Sequence, residues 1–218
     1  MPLYVLDGLD GSGKTTQTER VCSRLRAQGR EVLAISFPDY QEESSALVRM
    51  YLSGGFGADP DAVNAYAASS FYAVDRYAAY VRHWRDFYLS GGTVIATRYV
   101  SSNAIHQMGK LPREEWDGFL AWLRDFEYGK LGLPAPDQVI FLDMPRDVAD
   151  RQVLGRYGGD AAKKDIHERD RAYMARCQQA AAYAAQAEHW SVVPCGDRNG
   201  PFPLEQITGE ILRVMGAE

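Results

Sequence analysis

Short apolar runs alternate along the chain with longer amphipathic stretches. Five runs share the apolar character, and several of them end at a turn residue: residues 3–7, 31–37, 93–97, 138–142 and 190–194. Runs of this length are typical of buried strands, whereas the stretches between them repeat at helical spacing. Strands alternating with helices predict a five-stranded parallel sheet with helices on both faces. We therefore expect one three-layer α/β domain over residues 1–218.

The longest predicted helix covers residues 62–89 and stops at Gly91 and Gly92, before the third strand. Its apolar residues recur at helical spacing and predict one stripe, directed to the core: Val63, Tyr66, Ala67, Ser70, Val74, Tyr77, Val81, Trp84 and Tyr88. Another helix should begin at Pro112, which is followed by two glutamates. Residues 155–165 break the helical pattern with glycines and lysines, and we expect them to form a short flap.

Composition and charge narrow the function classes. Hydrophobic residues make up 46% and charged residues 24% of the chain, as in soluble globular proteins. A net charge of −5 argues against a general nucleic-acid binder, which needs a basic face. The apolar runs are too short for a membrane span, and no signal peptide is visible. The three cysteines are widely spaced, so we expect a reduced, cytoplasmic protein.

A glycine-rich motif follows the first strand and fits the P-loop pattern G-x-x-x-x-G-K-[ST]. Its residues, with the threonine that follows, are Gly8, Leu9, Asp10, Gly11, Ser12, Gly13, Lys14, Thr15 and Thr16. In a P-loop, backbone N–H groups and a helix N-terminus hold the nucleotide phosphates. Lys14 would reach the β- and γ-phosphates of ATP, and the Thr15 hydroxyl would bind Mg²⁺. A flexible glycine-rich turn is the alternative, but the flanking strand and helix favour nucleotide binding.

Other features narrow the class of P-loop protein. The chain has no N-K-x-D segment, the guanine-reading element expected of a GTPase. Asp143 ends the fourth predicted strand, where a carboxylate could hold Mg²⁺ directly or through water. The alternative for Asp143 is a helix cap before Pro145.

Candidate residues for a second substrate lie on the long helix and after the third strand. Tyr72 and Arg76 are four residues apart, on the face opposite the apolar stripe, and suit a planar base. A surface tyrosine beside an arginine paired with an acidic residue is the alternative. Arg98 follows the third strand, where ligands of such sheets bind, and could clamp a phosphate or form a rim salt bridge. Asn103 and Gln107 follow at helical spacing and could read a pyrimidine edge.

Together, these segments resemble the bacterial thymidylate kinase family over most of the chain. The resemblance rests on the P-loop with Asp10 at its third position, Phe37-Pro38, the Tyr72-x-x-x-Arg76 segment, Thr97-Arg98-Tyr99, Ser101-Ser102-Asn103 and residues 164–168. It implies a P-loop nucleoside monophosphate kinase that transfers a phosphoryl group from Mg·ATP to thymidine monophosphate. It also implies a homodimer packed through helices, to which residues 62–89 could contribute.

The resemblance also implies roles for individual residues. Asp10 would bind the sugar 3′-hydroxyl, Tyr72 would stack on thymine, Arg76 and Asn103 would contact its edge, and Arg98 would hold the acceptor phosphate. The acceptor would also be approached by Phe37, Tyr40, Arg49 and Gln107. The catalytic residues would be Lys14, Arg98 and, from the flap, Arg156, with Arg151 near the adenine.

Three positions depart from the family pattern. Tyr72 stands where the family more usually has phenylalanine, which preserves stacking but adds a hydroxyl. Thr97 replaces an aspartate implicated near the phosphates and Mg²⁺, and Gly11 stands where some members carry an arginine, whose part Arg156 would take. Two other functions stay open. A deoxynucleoside kinase would need a carboxylate base after the second strand, where the chain has Phe37 and then Asp39 beyond the proline. A non-transferring ATP-binding module is the other alternative.

Overall fold

A five-stranded parallel sheet forms the centre of the molecule in the computed structural model, which describes residues 1–156 and 166–217. Its strands are β1 (Leu3–Asp7), β2 (Val32–Ser36), β3 (Thr93–Thr97), β4 (Gln138–Asp143) and β5 (Ser191–Pro194). They lie side by side in the order β2-β3-β1-β4-β5. The five predicted strands are confirmed, with ends displaced by no more than one residue. A small antiparallel hairpin, β6 (Gly196–Asp197) and β7 (Gly200–Pro201), follows the sheet.

Helices connect the strands and cover both faces of the sheet. The α-helices are α1 (Lys14–Ala27), α2 (Ala46–Leu52), α3 (Ala65–Ala79), α4 (Arg85–Leu89), α5 (Val100–His106), α6 (Trp116–Leu123), α7 (Arg146–Arg156), α8 (Ile166–Arg169), α9 (Arg171–Ala187) and α10 (Leu204–Val214). Two π-helical segments continue α3 and α6: Tyr80–Trp84 and Arg124–Lys130. Short 3₁₀ turns lie at Glu43–Ser45, Pro60–Ala62, Met108–Lys110 and Arg113–Glu115.

Two apolar cores lie on opposite sides of the sheet. On one side, α1 and α10 pack on the strands through residues such as Val21, Leu25 and Ile211. On the other, α5, α6 and α9 pack together and bury residues such as Phe119 and Ala180. The central strands β1, β3 and β4 are buried on both faces, which explains their nearly continuous apolar sequences, whereas the edge strands β2 and β5 are partly exposed. The three-layer α/β arrangement is confirmed.

The long helix predicted over 62–89 is found as one helical run over 65–89, and Trp84 of its predicted stripe is buried, but most of that stripe does not face the core. The helix is α3, then a π-helical turn, then α4. Tyr66, Val74, Tyr77 and Val81, predicted to face the core, are 39–50% exposed. The inward face carries mostly small residues (Ala65, Ala68, Ser69, Ala73 and Ala79) together with Asp75 and Arg76. The side chains that α3 buries are therefore small or charged, a pattern that apolar periodicity alone cannot identify.

The segment before α8 differs partly from the prediction. The flap was expected over residues 155–165, but α7 continues to Arg156. Residues 157–165 lie outside the described residues, and with them Lys164 and Asp165. Across 1–156 and 166–217, no helix has both the length and the apolar character that a membrane span requires.

Candidate active site

The glycine-rich loop joins β1 to α1 and needs glycine for two separate reasons. Gly11 and Gly13 have φ angles of 82° and 87°, in the left-handed region that other residues rarely adopt. A Cβ atom on Gly11 would also lie 2.4 Å from the carbonyl oxygen of Ala149 in α7. The loop therefore curves tightly against α7 and ends at the N-terminus of α1. Such a loop is a ready binding site for anions.

Lys14, at the start of α1, lies across this loop. Its Nζ donates hydrogen bonds to the carbonyl oxygens of Gly8 and Leu9, at 2.9 and 2.8 Å. The side chain is largely buried, whereas the next two residues, Thr15 and Thr16, are exposed. The loop thus presents one ammonium group and two hydroxyls at the helix N-terminus.

A cavity of about 740 Å³ extends from this loop across the carboxyl ends of β1 and β3. Most of the predicted site residues line it: Asp10, Gly11, Gly13, Lys14, Thr15, Thr16, Phe37, Tyr40, Tyr72, Arg76, Arg98, Asn103 and Gln107. Gly8, Leu9 and Ser12 shape the loop from behind without lining the cavity. One space therefore joins the P-loop to the segments proposed for the second substrate.

Arg98 lies at the middle of the cavity in an unusual backbone conformation. Its φ angle is 64°, which is strained for a residue with a side chain, and its N–H donates to the carbonyl oxygen of Leu6 at 3.1 Å. The guanidinium donates to the Asp10 carboxylate and, through Nη1, contacts Nε2 of His106 at 3.1 Å. Asp7 lies 4.0 Å away on the buried side. Arg98 does form an ion pair, as one interpretation predicted, but it does so inside the cavity.

The pairing of Asp10 and Arg98 sets their charge states. Burial alone would raise the pKa of the Asp10 carboxyl, but Arg98 and then Lys14 outweigh it and hold that pKa well below its usual range. Burial alone would lower the pKa of Arg98, and Asp10 and Asp7 reverse the effect and raise it. Both groups are therefore charged at neutral pH, and the guanidinium is available to an anionic ligand.

Two histidines that the sequence analysis did not select also line the cavity. Because arginine can only donate, Nε2 of His106 must accept from Arg98, and the imidazole is neutral with its proton on Nδ1. His106 and His167 stack with their ring centres 5.8 Å apart. Burial, and after it the neighbouring Arg98, lowers the pKa of His106 well below its ordinary value. Burial, followed by the effect of Lys110, lowers the pKa of His167 to about 3.

Tyr72 and Arg76 lie on the inward face of α3, and both line the cavity. Arg76 is not displayed on an exposed surface, because only 1% of the residue is accessible. Its Nε and Nη2 donate to the two carboxylate oxygens of Glu127 at 2.7 and 2.6 Å. Asn103 also donates to Glu127, at 3.1 Å. The acidic partner of Arg76 considered as an alternative exists, but the pair forms part of the cavity wall.

Beside the loop residues Gly8, Leu9 and Ser12, the predicted site residues Arg49, Arg151 and Asp143 are also absent from the cavity wall. Arg49 is exposed, and its Nη1 donates to the carbonyl oxygens of Tyr40 and Glu42 at 3.1 and 2.9 Å, which secures the loop after β2. Arg151 is exposed on α7 and pairs with Asp147 at 3.2 Å. Asp143 ends β4 as predicted, but its side chain is exposed and does not line the cavity.

Thr97, which stands where the family pattern has an aspartate, carries no charge. The Thr97 hydroxyl lies 2.7 Å from that of Thr18, inside the molecule at the end of β3. Within residues 1–156 and 166–217, no group of three or more His, Cys, Asp or Glu side chains could hold a metal ion. Thr15 is the predicted metal ligand that lines the cavity.

Arg156, predicted to supply a catalytic cation, is the last residue of α7. Its side chain lies outside the described residues, as does most of the predicted flap. The residue of α7 that does line the cavity is Gln152.

Sequence reasoning missed several site residues that carried a usable signal. Glu127 falls on the apolar face of the helix predicted after Pro112. A single carboxylate on such a face is expected to be buried, and a buried carboxylate is almost always paired with a cation or a hydrogen-bond donor. Asp7 ends an apolar strand, is fully buried, and accepts from the hydroxyls of Ser101 and Ser102. His106 lies one turn beyond Ser102 on α5, on the side of the helix that meets the cavity.

Comparisons with known proteins agree with the fold and the loop. Residues 6–197 match the family model described as thymidylate kinase. The chain is 32% identical over 169 residues to a thymidylate kinase of Mycobacterium tuberculosis (strain H37Rv), covering 77% of this chain and 78% of that one. It is 29% identical over 157 residues to a thymidylate kinase of Caenorhabditis elegans, covering 67% and 65% of the two chains.

A solved structure supports the same fold. The structure of thymidylate kinase from Candida albicans superposes with a TM-score of 0.73, covering 99% of this chain and 91% of that one at 19% identity. At this identity the similarity establishes the architecture alone. The match of the family model over most of the sequence establishes the kinship. The chain belongs to the thymidylate kinase family.

Proposed function

We propose that the protein transfers the γ-phosphoryl group of Mg·ATP to thymidine 5′-monophosphate, yielding thymidine diphosphate and ADP. The observation that carries this proposal is the presence of two phosphate-binding devices in one cavity. One is the glycine-rich loop with Lys14, and the other is the Arg98 guanidinium, which Asp10 and His106 orient. Family membership supports the same activity.

A monophosphate acceptor requires no general base from the protein. Its second pKa is about 6, so the phosphate is largely dianionic at neutral pH and already nucleophilic. Catalysis then depends on holding donor and acceptor in line and on neutralising the charge of the migrating group. Lys14 neutralises charge on the donor phosphates, and Arg98 holds the acceptor phosphate. Because Asp10 and Arg98 are paired, the group that would bind the acceptor's sugar and the group that would bind its phosphate are held in a fixed position relative to each other.

The residues at the start of α1 fit a Mg²⁺ ion that is bound mainly through ATP. Mg²⁺ commonly keeps several waters and takes only one or two protein groups beside the nucleotide phosphates. The exposed Thr15 hydroxyl in the cavity would be such a ligand. When bound, the ion would offset the negative charge of the nucleotide phosphates. Asp143 would at most act through intervening water, because its side chain does not line the cavity.

The other end of the cavity suits a pyrimidine base. Tyr72 offers a ring for stacking, while Arg76 and Asn103 offer polar groups at an edge. Arg156 remains our candidate for the cation that reaches the migrating phosphoryl group, and Arg151 our candidate near the adenine. Phe37, Tyr40 and Gln107 would enclose the acceptor.

The cavity gives little support to a deoxynucleoside kinase. Such an enzyme needs a carboxylate to take a proton from the sugar 5′-hydroxyl. Ser36, at the end of β2, and Phe37, Pro38 and Tyr40 in the segment after it line the described cavity wall, but Asp39 does not. The backbone N–H of Asp39 instead donates to Asp75 at 2.9 Å.

An ADP-release assay tests the proposed reaction. The protein is incubated with Mg·ATP and, separately, with thymidylate, deoxyuridylate, deoxycytidylate, the purine monophosphates and thymidine. We expect ADP to form fastest with thymidylate. Product from thymidine alone would favour the deoxynucleoside kinase, and no ADP with any acceptor would favour the ATP-binding module.

We also propose that the protein is a cytoplasmic homodimer of the bacterial branch of the family. The exposed row Tyr66, Val74, Tyr77 and Val81 on α3 and its π-helical continuation is the surface we propose for the dimer contact. The three cysteines are free and buried, in keeping with a reducing compartment.

A further inference from the structure

Glu127 is a buried carboxylate that touches two of the groups proposed to read the base. It lies in the π-helical segment Arg124–Lys130 and has no accessible surface. Its Oε2 accepts from Nε of Arg76 at 2.7 Å, and its Oε1 accepts from Nη2 of Arg76 at 2.6 Å and from Nδ2 of Asn103 at 3.1 Å. One carboxylate therefore joins α3 to α5 directly behind the cavity wall.

The hydrogen bonds to Glu127 and Ser69 decide which atoms of Asn103 and Arg76 remain able to bond to a ligand. Nδ2 of Asn103 faces two acceptors, Glu127 and the carbonyl oxygen of Ser69 at 3.3 Å, so this atom must be the NH₂ group. The Asn103 carbonyl oxygen is then the group left to accept from a ligand. Two of the three nitrogens of the Arg76 guanidinium are occupied by Glu127. The third, Nη1, makes only a 3.3 Å contact to the carbonyl oxygen of Tyr99 and can donate to a ligand.

We propose that Glu127 is a positioning residue that fixes the hydrogen-bond polarity of the base site, with a donor at Arg76 beside an acceptor at Asn103. This inference rests on the proposed function and specifies its substrate class. A pyrimidine-2,4-dione presents a carbonyl oxygen next to a ring N–H, which matches that polarity. Cytosine presents an amino group next to an unprotonated ring nitrogen, which opposes it at both atoms.

The mismatch has a large effect because the site is buried. A site built to hydrogen-bond a substrate rejects an analogue that leaves its polar groups unpaired. Without the Glu127 carboxylate, the amide of Asn103 loses its nearer and charged acceptor and is oriented only by the 3.3 Å contact to the Ser69 carbonyl oxygen, so it turns more easily. The polarity of the site is then no longer set, and discrimination between dione and amino bases decreases.

The test compares three acceptors in the parent protein and in two Glu127 variants. In Glu127→Gln one carboxylate oxygen becomes an NH₂ group, so a donor faces either Nε of Arg76 or the pair formed by Nη2 of Arg76 and Nδ2 of Asn103. In Glu127→Asp the charge remains but the carboxylate is one methylene shorter, so it cannot reach both partners. We expect the ratio of kcat/KM for thymidylate to that for deoxycytidylate to decrease at least about 10-fold in Glu127→Gln and about 3-fold or more in Glu127→Asp.

Deoxyuridylate serves as the internal control. It shares the dione edge with thymidylate and differs only by the ring methyl group. We therefore expect the thymidylate-to-deoxyuridylate ratio to stay within about twofold of the parent value, whereas a general distortion of the pocket would change both ratios. The protein control is Asp125→Asn, which alters an exposed carboxylate of the same π-helical segment and should leave both ratios unchanged.

Several outcomes would overturn the proposal. One is an unchanged thymidylate-to-deoxycytidylate ratio in folded Glu127 variants, with folding checked by thermal melting. Another is that both ratios change together. If neither variant folds, Glu127 serves the fold alone and the proposal is equally wrong. If the parent protein transfers phosphate to no pyrimidine monophosphate, the proposed function itself fails, which the parent assay shows before any variant is made.

Discussion

At the scale of single residues, Arg98 combines a strained backbone with a guanidinium that is held by hydrogen bonds. Its positive φ angle directs the guanidinium from the end of β3 into the cavity, where Asp10 and His106 hold it. Strain at such a position persists only where the surroundings determine it. The pattern of the sequence located Arg98 correctly, because a residue that follows a parallel strand faces the ligand edge of the sheet.

Arg98→Ala should lower kcat/KM for thymidylate by roughly 10²–10³, since hydrogen bonds to a charged group contribute about 1.5–3 kcal/mol each. The KM for ATP should change little, because Lys14 and the loop are untouched. Arg98→Lys should recover only part of the loss, as an ammonium lacks the planar fork. Initial rates over a matrix of both substrates measure these effects. Arg124→Ala, at an exposed ion pair with Glu188, is the control, and equal kcat/KM in Arg98→Ala and parent would remove Arg98 from phosphate binding.

At the scale of elements, α3 has two different faces. Its inward face supplies Tyr72 and Arg76 to the cavity and Asp75 to the loop after β2. Asp75 accepts from the backbone N–H of Asp39 at 2.9 Å and from the hydroxyl of Ser44 at 2.6 Å. The helix therefore holds in place the loop that carries Tyr40.

Asp75→Ala should destabilise the protein by about 1–3 kcal/mol, because two donors lose their acceptor in a buried position. We also expect the KM for thymidylate to rise several-fold while the KM for ATP stays constant, since the affected loop borders only the acceptor end. Urea unfolding and initial-rate kinetics measure the two effects. Asp86→Ala, which removes an exposed carboxylate from α4, should change neither quantity. Loss of stability with an unaltered KM for thymidylate would show that Asp75 has no part in placing the loop.

At the scale of the whole molecule, the buried histidines make stability depend on pH. The pKa of His167 is lowered to about 3, and that of His106 is also lowered, mainly by burial. Below about pH 6.5 the unfolded chain binds protons at these side chains and the native protein does not. Stability is therefore complete above pH 6.5 and decreases as the pH falls toward 3.

Urea unfolding at pH 7.5 and pH 5.0 should reveal a loss of about 2 kcal/mol from His167, whose pKa is lowered to about 3, and a further loss in the same direction from His106. His167→Gln, which can keep a hydrogen bond to the Tyr51 hydroxyl without titrating, should remove the part of the loss that comes from His167. Equal stability of the parent protein at both pH values would contradict the neutral, buried state of both rings.

The proposed dimer is tested on the exposed row of α3. Val74→Glu and Tyr77→Glu should produce monomers in light scattering, because a charge would be buried at the centre of an apolar contact. Leu204→Glu alters an exposed apolar residue at the start of α10 and should leave the particle size unchanged. A parent protein that scatters as a monomer would contradict the proposal directly.

Local pattern was enough for part of this protein. The five strands and the phosphate-binding loop were predictable because their information lies in consecutive residues, as apolar runs and as glycines beside a lysine. Tyr72, Arg76 and Arg98 were predictable for a related reason, since helical spacing and strand ends determine which side chains share a surface. The structure places all three at one cavity.

Contacts between distant parts of the chain decided the rest. Arg76 meets Glu127 across 51 residues of sequence, and Arg98 meets Asp10 across 88. No periodicity within either segment encodes such a meeting. The inward face of α3 was mistaken for the same reason: its burial depends on which helices and strands pack around it, and its large apolar residues face outward. The sequence by itself determined the elements and the loop chemistry, whereas tertiary packing decided which polar groups are buried together and therefore how the base site is oriented.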